Sequence, residues 1–314
     1  ILDAALAEGV TVDWVLETHV HADHLSAAPW IKARTGAPIG IGARVKEVQA
    51  IFRPVFDLRD ITPDGGDFDR LFEDGETFRI GTLLVEVLHT PGHTPACAAY
   101  RITDPQAPWK AADVFVGDTL FMHDYGTARA DFPGGCARTL YRSIRRLLDL
   151  PPETRLWMCH DYKAPGRDVF AWRSTVAEQR AHNPHVKDGR TEEEFVAFRT
   201  ARDAKLSAPA LLLPSIQVNI RAGRFPAAEA NGVRYLRIPV KGRHAWNSIA
   251  HASAWSVSAA WVPTSSAGWR GPASGRWCGT AIRARWRRWR RRARKRRPTC
   301  PTLCGGWTRR GPCG

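Results

Sequence analysis

Apolar residues along most of this chain come in short runs separated by turn formers, with longer amphipathic stretches between them. Residues 3–8 read as the end of a helix closed by Gly9, and Val12, Trp14, Val15 and Leu16 form an apolar run leading to Thr18. Residues 22–34 are compatible with a helix, residues 38–41 with a short strand, and residues 43–52 carry helical spacing before the polar loop 62–67. Strands are predicted at 77–80, 83–88, 98–102 and 114–116, each ending near a turn signal. A helix over 139–148 stops at Pro151-Pro152, a strand follows at 156–159, and helices are predicted near 171–182 and 191–205. Strands and helices mixed in this order predict an α/β layered domain.

The pattern ends near Lys241. Residues 243–314 hold 16 of the 46 basic residues, none of the 31 acidic ones and eight of the 13 tryptophans. The formal charge of +15 therefore belongs to this segment, and residues 1–242 are nearly neutral. Arg283 to Arg297 interleaves Trp286 and Trp289 with arginines, the composition of a nucleic-acid arm. A lack of acidic residues together with a lost hydrophobic period fits a disordered or out-of-frame segment better, so nucleic acid is not expected as a partner. The seven cysteines are odd in number and scattered, which is no disulfide framework. No stretch of about 18 apolar residues offers a membrane span, and a cytoplasmic location is the expectation.

Chemistry concentrates in Thr18-His19-Val20-His21-Ala22-Asp23-His24, where four metal-capable side chains follow an apolar run. Surface histidines with a capping Asp23 would explain one or two of these residues but not the repeat. In His89-Thr90-Pro91-Gly92-His93-Thr94 the Pro-Gly pair forces a tight turn that points His93 inward, whereas His89 reads as a strand-end residue. Asp118 follows the apolar strand ending at Val116, and His160 follows another, so each strand delivers a polar group to its C-terminal end. Four loops thus offer ligands to one edge.

On these residues the sequence resembles the metallo-β-lactamase superfamily, whose metal-binding pattern is matched by His19, His21, Asp23, His24, His93, Asp118 and His160. Thr90-Pro-Gly-His-Thr94, Gly117-Asp-Thr119, Gly126-Thr-Ala-Arg-Ala-Asp131 and the segment after His160 look most like its persulfide dioxygenase branch, including the bacterial β-lactamase-related hydrolases. The resemblance implies an αββα sandwich over residues 1–242. By comparison with that family the chain starts late, so the first strands are expected to be absent, leaving apolar surface and sheet edges uncovered.

The same resemblance implies one Fe(II) per chain on His19, His93 and Asp118, with His21, Asp23, His24 and His160 around it or forming a second metal site. It implies oxidation of glutathione persulfide by O2 to sulfite and glutathione. Asp23 is an expected contributor to catalysis, with Arg129 and Tyr162 as substrate contacts. A sulfurtransferase is a candidate supplier of the persulfide, and a homodimer stays open. A rival expectation keeps the fold but places two Zn(II) per chain, giving a hydrolase of thioesters, lactones or lactams in the manner of glyoxalase II. A third expectation is a truncated, frameshifted product without catalysis, or a nucleic-acid binder acting through residues 243–314.

Overall fold

A computed structural model describes residues 1–240; the composition shift noted after residue 242 lies outside the described residues. The elements run α1 (Leu2–Ala7), β1 (Val15–Glu17), α2 (Ala28–Thr35), β2 (Ile39–Gly42), α3 (Val45–Val55), β3 (Arg70–Phe72), β4 (Thr77–Ile80), β5 (Leu83–His89), β6 (Ala98–Thr103) and β7 (Asp113–Phe115). After a 3-10 turn at Gly117–Thr119 come α4 (Ala137–Leu148), β8 (Arg155–Trp157), β9 (Arg173–Thr175), α5 (Val176–His182), α6 (Glu192–Asp203) and α7 (Leu212–Asn219).

Two sheets result. Strands β1, β2 and β3 pair in parallel in that order, and β4 to β9 form the second sheet in chain order, antiparallel except for β7 beside β8. The alternation of side chains along a strand assigns each residue to a layer. Val85, Val87, Ala98 and Tyr100 face Phe72, Trp14 and Leu16 of the first sheet and make the inner core. Leu88, Ala99, Val114 and Leu156 project the other way, onto Leu140, Ile144, Leu147 and Leu148 of α4. Those four positions recur at helical spacing, so one stripe of α4 is buried while Arg138, Arg142 and Arg146 are exposed. Helix α2 packs on β1 and β2 of the first sheet, and α3 buries Val45, Val48 and Phe52, so that both sheets carry helices.

Two expectations change. Residues 22–27 are not helical: α2 starts at Ala28 with Pro29 in its first turn, where a missing N–H costs nothing. The segment before it is a loop that holds histidines. Residues 171–175 belong to a loop and the edge strand β9, and α5 begins only after Thr175, whose hydroxyl and Glu178 form a reciprocal cap. Two elements, β3 and α7, have no counterpart in the apolar pattern, β3 because three residues show no period. Among the described residues no helix is long and apolar enough to cross a membrane.

Candidate metal centre

All the candidate ligands lie beyond strand ends at one edge of the sandwich. His19 to His24 follow β1, His93 sits in the turn between β5 and β6, Asp118 follows β7, and His160 follows β8. Two glycines make the convergence sterically feasible. Gly92 has φ +138°, and a Cβ there would lie 2.3 Å from the backbone of Leu140, so only glycine lets this turn lie against α4. Gly117 has φ +56° and packs its α-carbon against Thr18, where a Cβ would meet Oγ1 at 2.9 Å. Asp118 is thereby brought beside the first histidine loop.

Nε2 of His19 and Nε2 of His93 each lie 3.7 Å from Oδ2 of Asp118, and all three residues are buried. His160 approaches the other carboxylate oxygen, with Nε2 3.5 Å from Oδ1 of Asp118 and 3.3 Å from Oδ2 of Asp23. His21, Asp23 and His24 form an adjoining cluster that opens to solvent on the side of Asp23 and His24. The ring of His21 lies between those of His19 and His24, with centroids 4.1 and 4.3 Å away.

Each buried imidazole is held by one nitrogen. His93 donates from Nδ1 to the carbonyl of Arg129 at 2.8 Å, which leaves a lone pair on Nε2. Nδ1 of His19 lies 3.0 Å from the hydroxyl of Thr18. Nε2 of His21 lies 3.5 Å from the Glu17 carboxylate. The opposite atoms are the ones left alone: His19 Nε2, His21 Nδ1, Asp118 Oδ1 and His160 Nε2 are all buried without a hydrogen-bond partner. Several orphaned lone pairs in one spot would be costly unless a cation takes them. The donor set fits a divalent ion, and His19, His93 and Asp118 present one ligand atom each within 4.8 Å of one another.

Electrostatics favour a neutral, metal-ready His19. Burial, then the neighbouring His21, His93 and His160, hold His19 well below the ordinary histidine value. Burial works to raise the Glu17 carboxyl, but hydrogen bonds from His21 and Ser26 outweigh it and lower the group. His21 is the converse: burial disfavours its charged form, yet the bond and charge of Glu17 raise it overall.

The seven pattern positions therefore come together, and His89 does not join them; it ends β5 with Nε2 3.1 Å from the carbonyl of Phe72. Tyr162 stands over His160, rings nearly parallel at 5.6 Å, and is half exposed. The Arg129 guanidinium makes a two-pronged bond to Asp131 and another to the carbonyl of Ser207, so its backbone faces the centre while its side chain braces the loop. Sequence reasoning passed over Glu17 and Asn219. Asn219 of α7 donates to the carbonyls of His21 and His24 at 2.8 Å each and accepts from the Ser26 amide.

The chain matches the Metallo-beta-lactamase superfamily over residues 2–160 and belongs to that family. It is 57% identical over 237 residues to a probable metallo-hydrolase of Burkholderia pseudomallei, covering 74% of this chain and 80% of that protein. It is 50% identical to glyoxylase B2 of Dictyostelium discoideum, over 73% of this chain and 76% of that one. Human mitochondrial persulfide dioxygenase ETHE1 is 29% identical, over 68% and 71% of the respective chains. Among solved structures, ETHE1 from Myxococcus xanthus superposes with a TM-score of 0.56 at 31% identity, covering 71% of this chain and 83% of that chain.

Proposed function

We propose that this protein is a persulfide dioxygenase that converts glutathione persulfide, O2 and water into sulfite, glutathione and two protons, with one Fe(II) held by His19, His93 and Asp118. The observation that carries this reading is the buried His19–His93–Asp118 triangle, in which His19 Nε2 and Asp118 Oδ1 are buried without a hydrogen-bond partner. Two histidines and one carboxylate on one face are the donor set of non-haem iron oxygenases; when bound, Fe(II) there offers open positions for a sulfur ligand and O2 together. The likeness to proteins named ETHE1 supports the same reading.

The chain's own residues supply orientation and shape. The carbonyl of Arg129 and the hydroxyl of Thr18 fix which nitrogens of His93 and His19 face inward. Tyr162, over His160 and open to solvent, offers a platform for the thiol carrier at the mouth of the centre. Arg129 keeps guanidinium N–H groups beyond those used by Asp131 and Ser207, so it can still meet a substrate carboxylate. Asp23, beside His160, is placed to take up a proton released as the persulfide binds.

One observation favours a second reading. His21, Asp23 and His24 form a further group able to hold a cation, and His160 reaches toward both Asp23 and Asp118. Two zinc ions would make the protein a hydrolase, in keeping with the relatives named metallo-hydrolase and glyoxylase. The readings separate when iron-loaded and zinc-loaded protein are each offered glutathione persulfide and a glutathione thioester. Sulfite from the first substrate with iron supports the dioxygenase; turnover of the thioester alone, with zinc, supports the hydrolase.

A further inference from the structure

Glu17 closes β1 just before the histidine loop, and its carboxylate is buried against that loop. One carboxylate oxygen accepts from the hydroxyl of Ser26, and the other lies 3.5 Å from Nε2 of His21. Ser26 is held in turn by Asn219, and its hydroxyl accepts from the Ala28 amide at 3.1 Å where α2 begins. A single side chain thus spans the loop from His21 to the helix that follows. The ion-pair partner found for this carboxylate is an imidazole rather than a lysine or arginine. Burying an acid on that footing costs stability, which an apolar residue of similar volume would avoid.

The effect on His21 is specific. With its proton on Nε2, which faces Glu17 at 3.5 Å, a neutral His21 ring carries its lone pair on Nδ1, the atom that is buried without a partner. The ring cannot rotate to exchange its nitrogens without losing the carboxylate. We infer that Glu17 is a positioning residue for the metal centre: through His21 Nε2 it fixes the tautomer and orientation in which His21 turns Nδ1 toward the ligand cluster. A carboxylate behind an imidazole also raises the basicity of its free nitrogen, so Glu17 strengthens whatever His21 contributes to holding the ion.

The test uses Co(II) as the probe, because its visible bands report the ligand set, and measures affinity by competition with a chelator. Glu17→Met fills the same volume without an acceptor; it is expected to weaken Co(II) binding about 10- to 100-fold and to alter the visible bands. Glu17→Gln, which still offers an oxygen to Nε2–H, is expected to recover most of that loss. In a His21→Ala background the Glu17→Met change is expected to add nothing, since Glu17 acts through His21. Wild-type affinity and spectrum for a folded Glu17→Met protein would overturn the inference. So would an equal loss in the His21→Ala background, the mark of a merely structural acid. Should Glu17→Met fail to fold, Glu17→Gln on its own decides: bands and affinity near wild type uphold the inference, and a full loss contradicts it.

Discussion

The carbonyl oxygen of Arg129 accepts the Nδ1 proton of His93 at 2.8 Å, so the direction in which this imidazole points is set by a backbone loop rather than by another side chain. That loop is clamped from α6. Asp203 accepts from the Ala130 amide at 2.8 Å, Arg199 donates to the Thr127 carbonyl at 3.2 Å, and the two side chains pair 2.5 Å apart in the interior. Asp203→Ala leaves Arg199 as a buried charge without its partner and the Ala130 amide without an acceptor. We expect a loss of roughly 3–5 kcal/mol in urea unfolding, with weaker metal binding in the protein that remains folded. A loss below about 1 kcal/mol would show that the clamp is dispensable.

Asn219 does for the first histidine loop what α6 does for the second. Replacing it with alanine removes the donors to the carbonyls of His21 and His24 and the acceptor for Ser26. The expected cost is roughly 1–3 kcal/mol for polar groups left unpaired. Metal affinity is expected to fall in parallel, measured by chelator competition on Asn219→Ala and wild type side by side.

His185 gives the fold a pH dependence of known sign. Its Nδ1 accepts from the Thr127 amide at 3.0 Å, and burial, followed by the charge of Arg199, lowers its value to about 3. The unfolded chain binds a proton near pH 6.5 and the folded one does not until about pH 3. Between those limits the unfolded state holds more protons, so stability is complete above the upper limit and falls as pH drops. The loss from this residue reaches about 2 kcal/mol at pH 5. Thermal unfolding of the metal-free protein between pH 7 and 5 checks this, and His185→Gln should flatten the slope.

Tyr162 offers a test that separates substrate binding from metal binding. It stacks on His160 but is half exposed, and no ligand in the His19–His93–Asp118 set touches it among the ring contacts found. Tyr162→Ala is expected to raise KM for glutathione persulfide several-fold with metal content unchanged, while Tyr162→Phe, which keeps the ring, stays near wild type. Loss of metal in Tyr162→Ala would assign it a role in holding His160 instead.

The candidate ligands were readable because their chemistry is dense and their positions follow apolar runs: His19, His21, Asp23 and His24 in one hexapeptide, Asp118 and His160 each just past a short apolar strand. What supports them was less so. Glu17 reads as the polar end of a strand, and its role depends on Ser26 and His21 folding back over it. Asn219 lies about two hundred residues from the carbonyls it holds, a separation no local pattern reports. The non-helical path of residues 22–27 has the same origin, since Asn219 claims the Ser26 N–H and the His21 and His24 carbonyls, backbone groups that a helix would have used. At Arg129 the sequence points to the side chain alone, and the structure adds the carbonyl beside His93.

The most direct test of the dioxygenase reading is oxygen uptake by protein loaded anaerobically with Fe(II) and given glutathione persulfide, beside an Asp118→Ala control. Rapid uptake is expected, with one O2 consumed for each sulfite formed, and neither in the control. A folded, iron-loaded protein that consumes no oxygen, while its zinc-loaded form cleaves a glutathione thioester, would contradict it.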